Sequence, residues 1–335
     1  MPEIVILAIE SSCDDTSAAI CINGKVVSNL TANQKVHQQY GGVVPELASR
    51  EHTKNIIPVV DAAIKKAGIS KNDINAVAFT RGPGLMGSLL VGGIFAKSFA
   101  QALNIPLIDV NHMQAHVLAH FIDEPKPKFP FLCLTVSGGH TQIVLVKDYL
   151  EMEVIGTTID DAAGEAFDKT AKILNLPYPG GPLIDKYAQQ GNPKAFKFTE
   201  PQIEKLDFSF SGLKTNILYF IQKETKNNPI FVEENLHDIC ASVQQTIVSI
   251  LMKKIKKAAE ETSIREIAIA GGVSANSELR KQLQYFGEQN NWKTYIPDFQ
   301  YCTDNAGMIA ITAYYKFIKQ DFCKIDIPIQ ARMNF

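Results

Sequence analysis

Ile6-Leu7-Ala8-Ile9-Glu10-Ser11-Ser12 near the start of the chain and Phe131-Leu132-Cys133-Leu134-Thr135-Val136-Ser137 in its middle lie on one another without a gap. Each is a short apolar run of strand length that ends in small hydroxyl residues. A turn and a returning strand follow, led by Thr16 in the first case and Thr141 in the second. One hairpin used twice, an internal duplication, accounts for the match. Any two β-hairpins share part of this pattern, so the flanking segments must agree with it.

They do. Ser17 to Ile22 and Lys25 to Leu30, joined by the hairpin signal Asn23-Gly24, extend the first copy to a β-meander. Pro45 opens an amphipathic helix that runs to Ala67, where Gly68 stops it. A strand at Ala76 to Phe79, a helix at Leu85 to Leu103, a strand at Leu107 to Val110 and a helix at His112 to Phe121 follow, up to the break Glu124-Pro125-Lys126-Pro127. The second copy then has strands at Phe131 to Val136 and Gln142 to Val146 and helices near Ala162 to Leu174, Ser211 to Glu224 and Glu234 to Glu261. A strand at Glu266 to Ala270 and a last helix from Asn305 to Lys319 complete it. Two βββαβα halves make this an α/β, two-lobed fold of the actin, Hsp70 and sugar-kinase (ASKHA) kind, with a nucleotide cleft between the duplicated halves as the expected site. The lobes are expected at 1–110 and 111–335, the second carrying extra helices.

The chain has 335 residues, 46% apolar and 20% charged, which is ordinary globular usage for two domains. Lys plus Arg is 33 against 35 for Asp plus Glu, so the net charge of -2 excludes a surface coated in positive charge. Any RNA contact is local or shared with a partner. The six cysteines are scattered with no CxxC pair, as in a reducing compartment. The apolar stretch in MPEIVILAIESS is too short for a signal peptide, and no later run reads as membrane-spanning, so a cytoplasmic protein without membrane contact is expected.

Several turns carry chemistry. Glu10-Ser11-Ser12-Cys13-Asp14-Asp15-Thr16 places acids where the first hairpin reverses, suited to a metal or water near phosphate, or to an Asx-type turn. Ser137-Gly138-Gly139-His140 leaves backbone N–H groups open to an anion, or forms a glycine turn. Gly271-Gly272-Val273-Ser274-Ala275-Asn276 suits a nucleoside, with Asn276 on ribose or base or acting as a helix cap. In Pro179-Gly180-Gly181-Pro182, a turn opens a helix whose Asp185 can accept from ribose hydroxyls or compensate a helix dipole. Asp160, Asp161, Glu165 and Asp168 gather around a helical first turn that is a solvated face by default.

His112 and His116 stand at i and i+4 on one helical face, the spacing one metal ion needs, with His120 extending the row. A third ligand is required, and Asp304 at the start of the last helix is the distal candidate. Mixed His and carboxylate ligation suits Fe(II) or Zn(II). A zincin protease would need Glu directly after the first His, where this chain has Met113.

Taken with Tyr40 to His52, Gly82-Pro83-Gly84-Leu85 and Asp207 to Thr215, these motifs resemble the tRNA N6-adenosine threonylcarbamoyltransferase family of the bacterial TsaD type, once described as O-sialoglycoprotein endopeptidases, over nearly the whole length. The resemblance implies one divalent metal ion per subunit on His112, His116 and Asp304, with Fe(II) preferred to Zn(II). It implies substrate contacts from Thr135, Val136, Ser137, Gly138, Gly139, Asp168, Gly181, Asp185 and Asn276. The implied reaction moves the threonylcarbamoyl group from threonylcarbamoyl-AMP to N6 of adenosine 37, 3′ of the anticodon of ANN-decoding tRNA, and releases AMP. His140 or Asp14 is the candidate base. Implied partners are tRNA, a homologous TsaB-like subunit, a TsaE-like ATPase and a TsaC-type synthase that supplies the intermediate. Where the family commonly has Glu at the third position of its HxxxH helix, this chain has Gln114, which removes a charge but can still orient His112 or a water. The rival readings are an ATP-dependent kinase or ATPase of the same fold group and a nucleotide-binding scaffold without turnover.

Overall fold

The computed structural model describes residues 3–201 and 203–335. β1 (Val5–Glu10), β2 (Thr16–Ile22) and β3 (Lys25–Ala32) form the expected meander. Asn23 and Gly24 turn the last hairpin with φ of 53° and 82°, the pair of left-handed residues that a tight primed turn requires. α1 (Pro45–Ala67) starts on its proline and stops at Gly68, whose φ of 71° satisfies the last carbonyls. β4 (Ala76–Gly82), α2 (Met86–Leu103), β5 (Leu107–Asn111) and α3 (His112–Leu118) complete the first half.

β6 (Phe131–Val136), β7 (Thr141–Asp148) and β8 (Glu151–Thr157) repeat the meander. α4 (Ala163–Ile173), α5 (Gly180–Ala188), α6 (Ser211–Asn227) and the long α7 (Phe231–Thr262) fill the crossover to β9 (Glu266–Ala270). α8 (Ser277–Asn290), β10 (Lys293–Tyr295), α9 (Phe299–Cys302) and α10 (Ala306–Ile318) end the chain. The strand orders are β3-β2-β1-β4-β5 and β8-β7-β6-β9-β10, so the two sheets have one topology. In each, the first strand pairs antiparallel with its hairpin partner and parallel with the strand returning from a helix. The duplication legible in the hairpins is a duplication of whole sheets. β8 and β10 carry no strong sequence signal because β8 is mostly only half-buried and β10 has three residues.

β1 is buried on both faces, which is why it reads as an unbroken apolar run. Leu7 and Ile9 point to one core with Ile20, Val60, Phe79 and Ala96, beneath α1 and α2. Ile6 and Ala8 point to another with Ala19, Ile108, Ala115, Met308 and Ile309, beneath α3 and α10. α10 is therefore part of the first sheet's core although it is the last helix of the chain. By packing, one compact unit comprises Met1–Lys126, Asp148–Met152 and Pro297–Phe335, and the other Pro127–Lys147 and Glu153–Ile296. The boundary expected at residue 110 thus gives way to a first unit that takes back the C-terminal segment, because the apolar faces of α3 and α10 have β1, β4 and β5 to cover.

α2 is, among the described residues, the one helix long and apolar enough by length and composition to cross a membrane, a property not anticipated from the sequence. Its Leu89, Gly92, Gly93, Ala96 and Ala100 are instead buried within the first unit. Met86, Leu90 and Ile94 of the same helix are exposed.

Leu7 is fully buried and Ile57 on α1 is 65% exposed. Leu7→Ala should lower stability by about 2–5 kcal/mol. Ile57→Ala should change it by no more than about 0.5 kcal/mol. Urea midpoints followed by circular dichroism test both.

Candidate metal centre and glycine turns

The parallel pairing of β1, β4 and β5 aligns their carboxyl ends: Ile9 lies opposite Phe79, and Thr80 opposite Val110. Glu10, Thr80 and Asn111 therefore lie at or near the carboxyl ends of neighbouring strands, the position where α/β sheets carry ligands. α3 leaves β5 directly, because Asn111 caps it: its side-chain Oδ1 accepts from the N–H groups of Met113 and Gln114 at 2.9 and 3.2 Å. His112 and His116, one turn apart, stand with ring centres 4.7 Å apart and planes at 89°.

Asp304 meets them from the loop between α9 and α10. Its Oδ1 is 3.4 Å from His112 Nε2 and 3.2 Å from His116 Nε2. Among the described residues these three form a group whose ligand atoms lie within 4.8 Å of one another. An unprotonated imidazole nitrogen and a carboxylate oxygen are both acceptors, so this convergence needs a proton or a cation between them. A divalent ion with bonds of about 2.1 Å holds neighbouring ligand atoms roughly 3.0 to 3.4 Å apart, so the donor set fits one. His120 is buried in the 3-10 turn after α3 and does not join the group.

The electrostatics favour positive charge here. Burial works against a charged imidazole at His112, but Asp304 and then Glu10 outweigh it and raise its pKa well above the usual value. At His116 burial prevails over the Asp304 hydrogen bond and the pKa is lowered. Burial would raise the Asp304 carboxyl, yet His112 and His116 hold it far below the ordinary range. Glu10, raised by burial and lowered by His112, also ends below it.

Sequence reasoning missed the partners of His112. Its Nδ1 lies 3.1 Å from Glu10 Oε2 and 3.2 Å from Ser12 Oγ. The orienting bonds thus come from β1 and its turn and not from Gln114. The only sequence signal was an acid closing a buried strand. The turn itself is clasped by His52 of α1, whose Nε2 donates to the Cys13 carbonyl at 2.9 Å and whose Nδ1 pairs with the Thr16 hydroxyl at 2.8 Å. Asp14 lies in this turn, beside Asp15, which accepts from Asn33 at 2.7 Å and whose carboxyl burial pushes up to about 7.

The second unit holds the glycine turns. In the β6–β7 hairpin Ser137 N donates to the His140 carbonyl at 2.8 Å, and His140 N donates to Ser137 Oγ at 3.1 Å. A Cβ at Gly138, Gly139 or Gly272 would meet nothing within 4 Å, so their backbone faces open space. Gly271, at φ +85°, and Gly164 are different: a Cβ there would lie 2.5 Å from the carbonyls of Val136 and Ser137. The hairpin, the 271–272 turn and the start of α4 approach this closely because those positions lack side chains.

The polar residues around these turns have structural bonds. Asp168 Oδ1 accepts from Gly180 and Gly181 N–H at 2.9 and 3.1 Å, fixing the start of α5. Asp185 accepts from Ser277 N at 3.1 Å and Ser277 Oγ at 2.6 Å, tying α5 to α8. Asn276 caps α8 through Leu279 N at 3.0 Å and donates to Gln244 at 2.8 Å. Beside them lies a cavity of about 360 Å³ lined by Gln189, Gln244, Gln245, Ser277, Glu278 and Lys281 among others. The acidic run is not simply a solvated face: Asp160 accepts from Ser209, Phe210 and Ser211, while Asp161 and Glu165 pair with Lys169.

Residues 25–311 match the sequence model of the family described as tRNA N6-adenosine threonylcarbamoyltransferase, TsaD. The chain belongs to this family. Proteins of that name from Christiangramia forsetii and Riemerella anatipestifer are 64% and 60% identical to it, covering 99% of this chain and 99% and 98% of their own lengths. One from Prosthecochloris aestuarii is 49% identical over 93% of each chain. Among solved structures, full-length HypF matches with a TM-score of 0.62 at 12% identity, over 93% of this chain and 46% of HypF. Component A of the (R)-2-hydroxyglutaryl-CoA dehydratase of Acidaminococcus fermentans matches with 0.56 at 14% identity, over 93% and 98%. At these identities the likeness is one of fold, and it agrees with the two-lobed ASKHA architecture.

Gly271→Ala should lower stability by at least about 1 kcal/mol, because the new Cβ is both strained at positive φ and blocked by Val136. Gly138→Ala, with open space around it, should stay within about 0.5 kcal/mol of the parent. Thermal melts of the two variants measured side by side check the contrast.

Proposed function

We propose that this chain transfers the threonylcarbamoyl group from threonylcarbamoyl-AMP to N6 of adenosine 37 in ANN-decoding tRNA, and that it does so as a metal-dependent enzyme. The observation that carries the metal dependence is the convergence of His112 Nε2 and His116 Nε2 on one oxygen of Asp304. These residues would hold one divalent ion, Fe(II) ahead of Zn(II), since two imidazoles and a carboxylate suit both. When bound, such an ion supplies Lewis acidity toward oxygen atoms of the threonylcarbamoyl group.

The remaining roles belong to the chain. Backbone N–H groups of Gly138 and Gly139 take the phosphate of the adenylate, with Thr135, Val136 and Ser137 setting the strand and turn beneath them. Asp168 keeps Oδ2 for a substrate hydroxyl after its Oδ1 is spent on Gly180 and Gly181. Gly181, Asp185 and Asn276 surround the nucleoside, each carboxylate oxygen of Asp185 retaining acceptor capacity beyond Ser277. The N6 nitrogen forms a bond to the carbamoyl carbon, the bond from that carbon to the phosphate oxygen breaks, AMP leaves, and a proton passes from N6 to a base. His140 and Asp14 are the candidates for that base. Asp15, beside Asp14 in the same turn, is a third, its carboxyl pushed up to about 7 by burial.

A net charge of -2 supports tRNA binding shared with partners, namely a TsaB-like subunit and a TsaE-like ATPase, with a TsaC-type synthase upstream. All six cysteines are free thiols, as expected in the cytoplasm. A kinase of the same fold group would use a catalytic Asp and Mg(II), and paired imidazoles speak against it.

The deciding experiment incubates the protein with threonylcarbamoyl-AMP, unmodified ANN-decoding tRNA and the partner proteins, and reads modified adenosine by mass spectrometry. Product should form with the parent and fall by at least about 100-fold in His112→Ala/His116→Ala. Absence of product with all partners present, together with ATP turnover on a small molecule, would instead establish a kinase.

A further inference from the structure

Glu10 is fully buried at the end of β1, outside the group of His112, His116 and Asp304. An ionised carboxylate is costly to bury unless donors surround it, and an apolar side chain would pack there at no such cost. The donors are present. Oε1 accepts the Ser12 N–H and Oε2 accepts the Thr80 hydroxyl, each at 2.5 Å. Oε2 also lies 3.1 Å from His112 Nδ1.

A carboxylate has only acceptors, so the bond to Nδ1 requires that nitrogen to carry its proton. The lone pair of His112 is thereby assigned to Nε2, the atom 3.4 Å from Asp304. His116 has no counterpart, because its Nδ1 is buried without a hydrogen-bond partner among the described residues. The two imidazoles are therefore unequal: the Nδ1 of one is backed by a fixed carboxylate and the Nδ1 of the other is not.

We propose that Glu10, held by Thr80 and Ser12, is the positioning residue of the centre, fixing the tautomer and ring plane of His112 so that Nε2 is the anchoring ligand atom. This rests on reading His112, His116 and Asp304 as a metal centre. A buried acid that orients a histidine ligand typically contributes ten- to a hundredfold in metal affinity. Glu10→Gln is the informative change. With its amide oxygen kept on the Ser12 N–H, its NH₂ group faces His112 and donates to Nδ1, which reverses the tautomer and turns an Nε2–H toward Asp304.

The test measures Zn(II) affinity by chelator competition and the visible spectrum of the Co(II) form, using the full chain. Glu10→Gln should weaken Zn(II) by about 10–100-fold and alter the Co(II) bands. The same change should matter within about twofold in a His112→Ala background but retain its effect in a His116→Ala background, as a role exercised through His112 demands. Thr80→Val, a milder change, should weaken affinity by about fivefold and decides the matter if Glu10→Gln does not fold. Parent-like affinity and spectrum in whichever of these variants folds, or an equal effect in both His backgrounds, would overturn the role of Glu10. A parent that binds neither Zn(II) nor Co(II) would overturn the metal centre itself.

Discussion

Everything at the candidate centre depends on how β1 is paired. It lies antiparallel to β2 on one side and parallel to β4 on the other, with β5 parallel beyond. A parallel pair forces a crossover, so α1 and α2 must cover the sheet. It also brings strand ends together at one edge, where main chain leaves the core and polar side chains become affordable. Glu10, Thr80, Asn111 and His112 meet there through a register of hydrogen bonds that carries no sequence mark of its own.

The same scaffold is used twice with different end chemistry. In the gapless alignment Glu10 falls on Thr135 and Ser12 on Ser137. The first unit closes its strand with a buried acid and backs a histidine with it. The second closes with a hydroxyl residue and opens into Gly138 and Gly139, where bare backbone faces space. A buried carboxylate calls for positive charge nearby, whereas open N–H groups call for an anion. One duplicated element thus ends in a buried carboxylate in one unit and in open backbone in the other.

Residues whose type fitted substrate binding proved also to hold the scaffold. Asn276 caps α8, Asp185 ties α8 to α5, and Asp168 pins the start of α5. A side chain immobilised by such bonds presents its remaining lone pairs at a fixed place, so binding and capping are compatible roles here. Of the two alternatives the sequence left open for Asn276, the helix cap is the one the structure shows.

The sequence by itself determined most of the strands and helices, because apolar period, Asn23-Gly24, Pro45 and Gly68 act within a few residues of where they stand. It also determined the duplication, and the pairing of His112 with His116, since a helix fixes the spacing of neighbours at i and i+4. What brings Asp304 to those histidines is the burial of α10 on the first sheet, a contact between residues nearly two hundred positions apart (304 − 112 = 192). What brings Glu10 and Thr80 to His112 is strand register. Both are long-range choices made by the core as a whole, and the fold boundary moved for the same reason: apolar faces are covered by whatever surface completes them, wherever it lies in the chain.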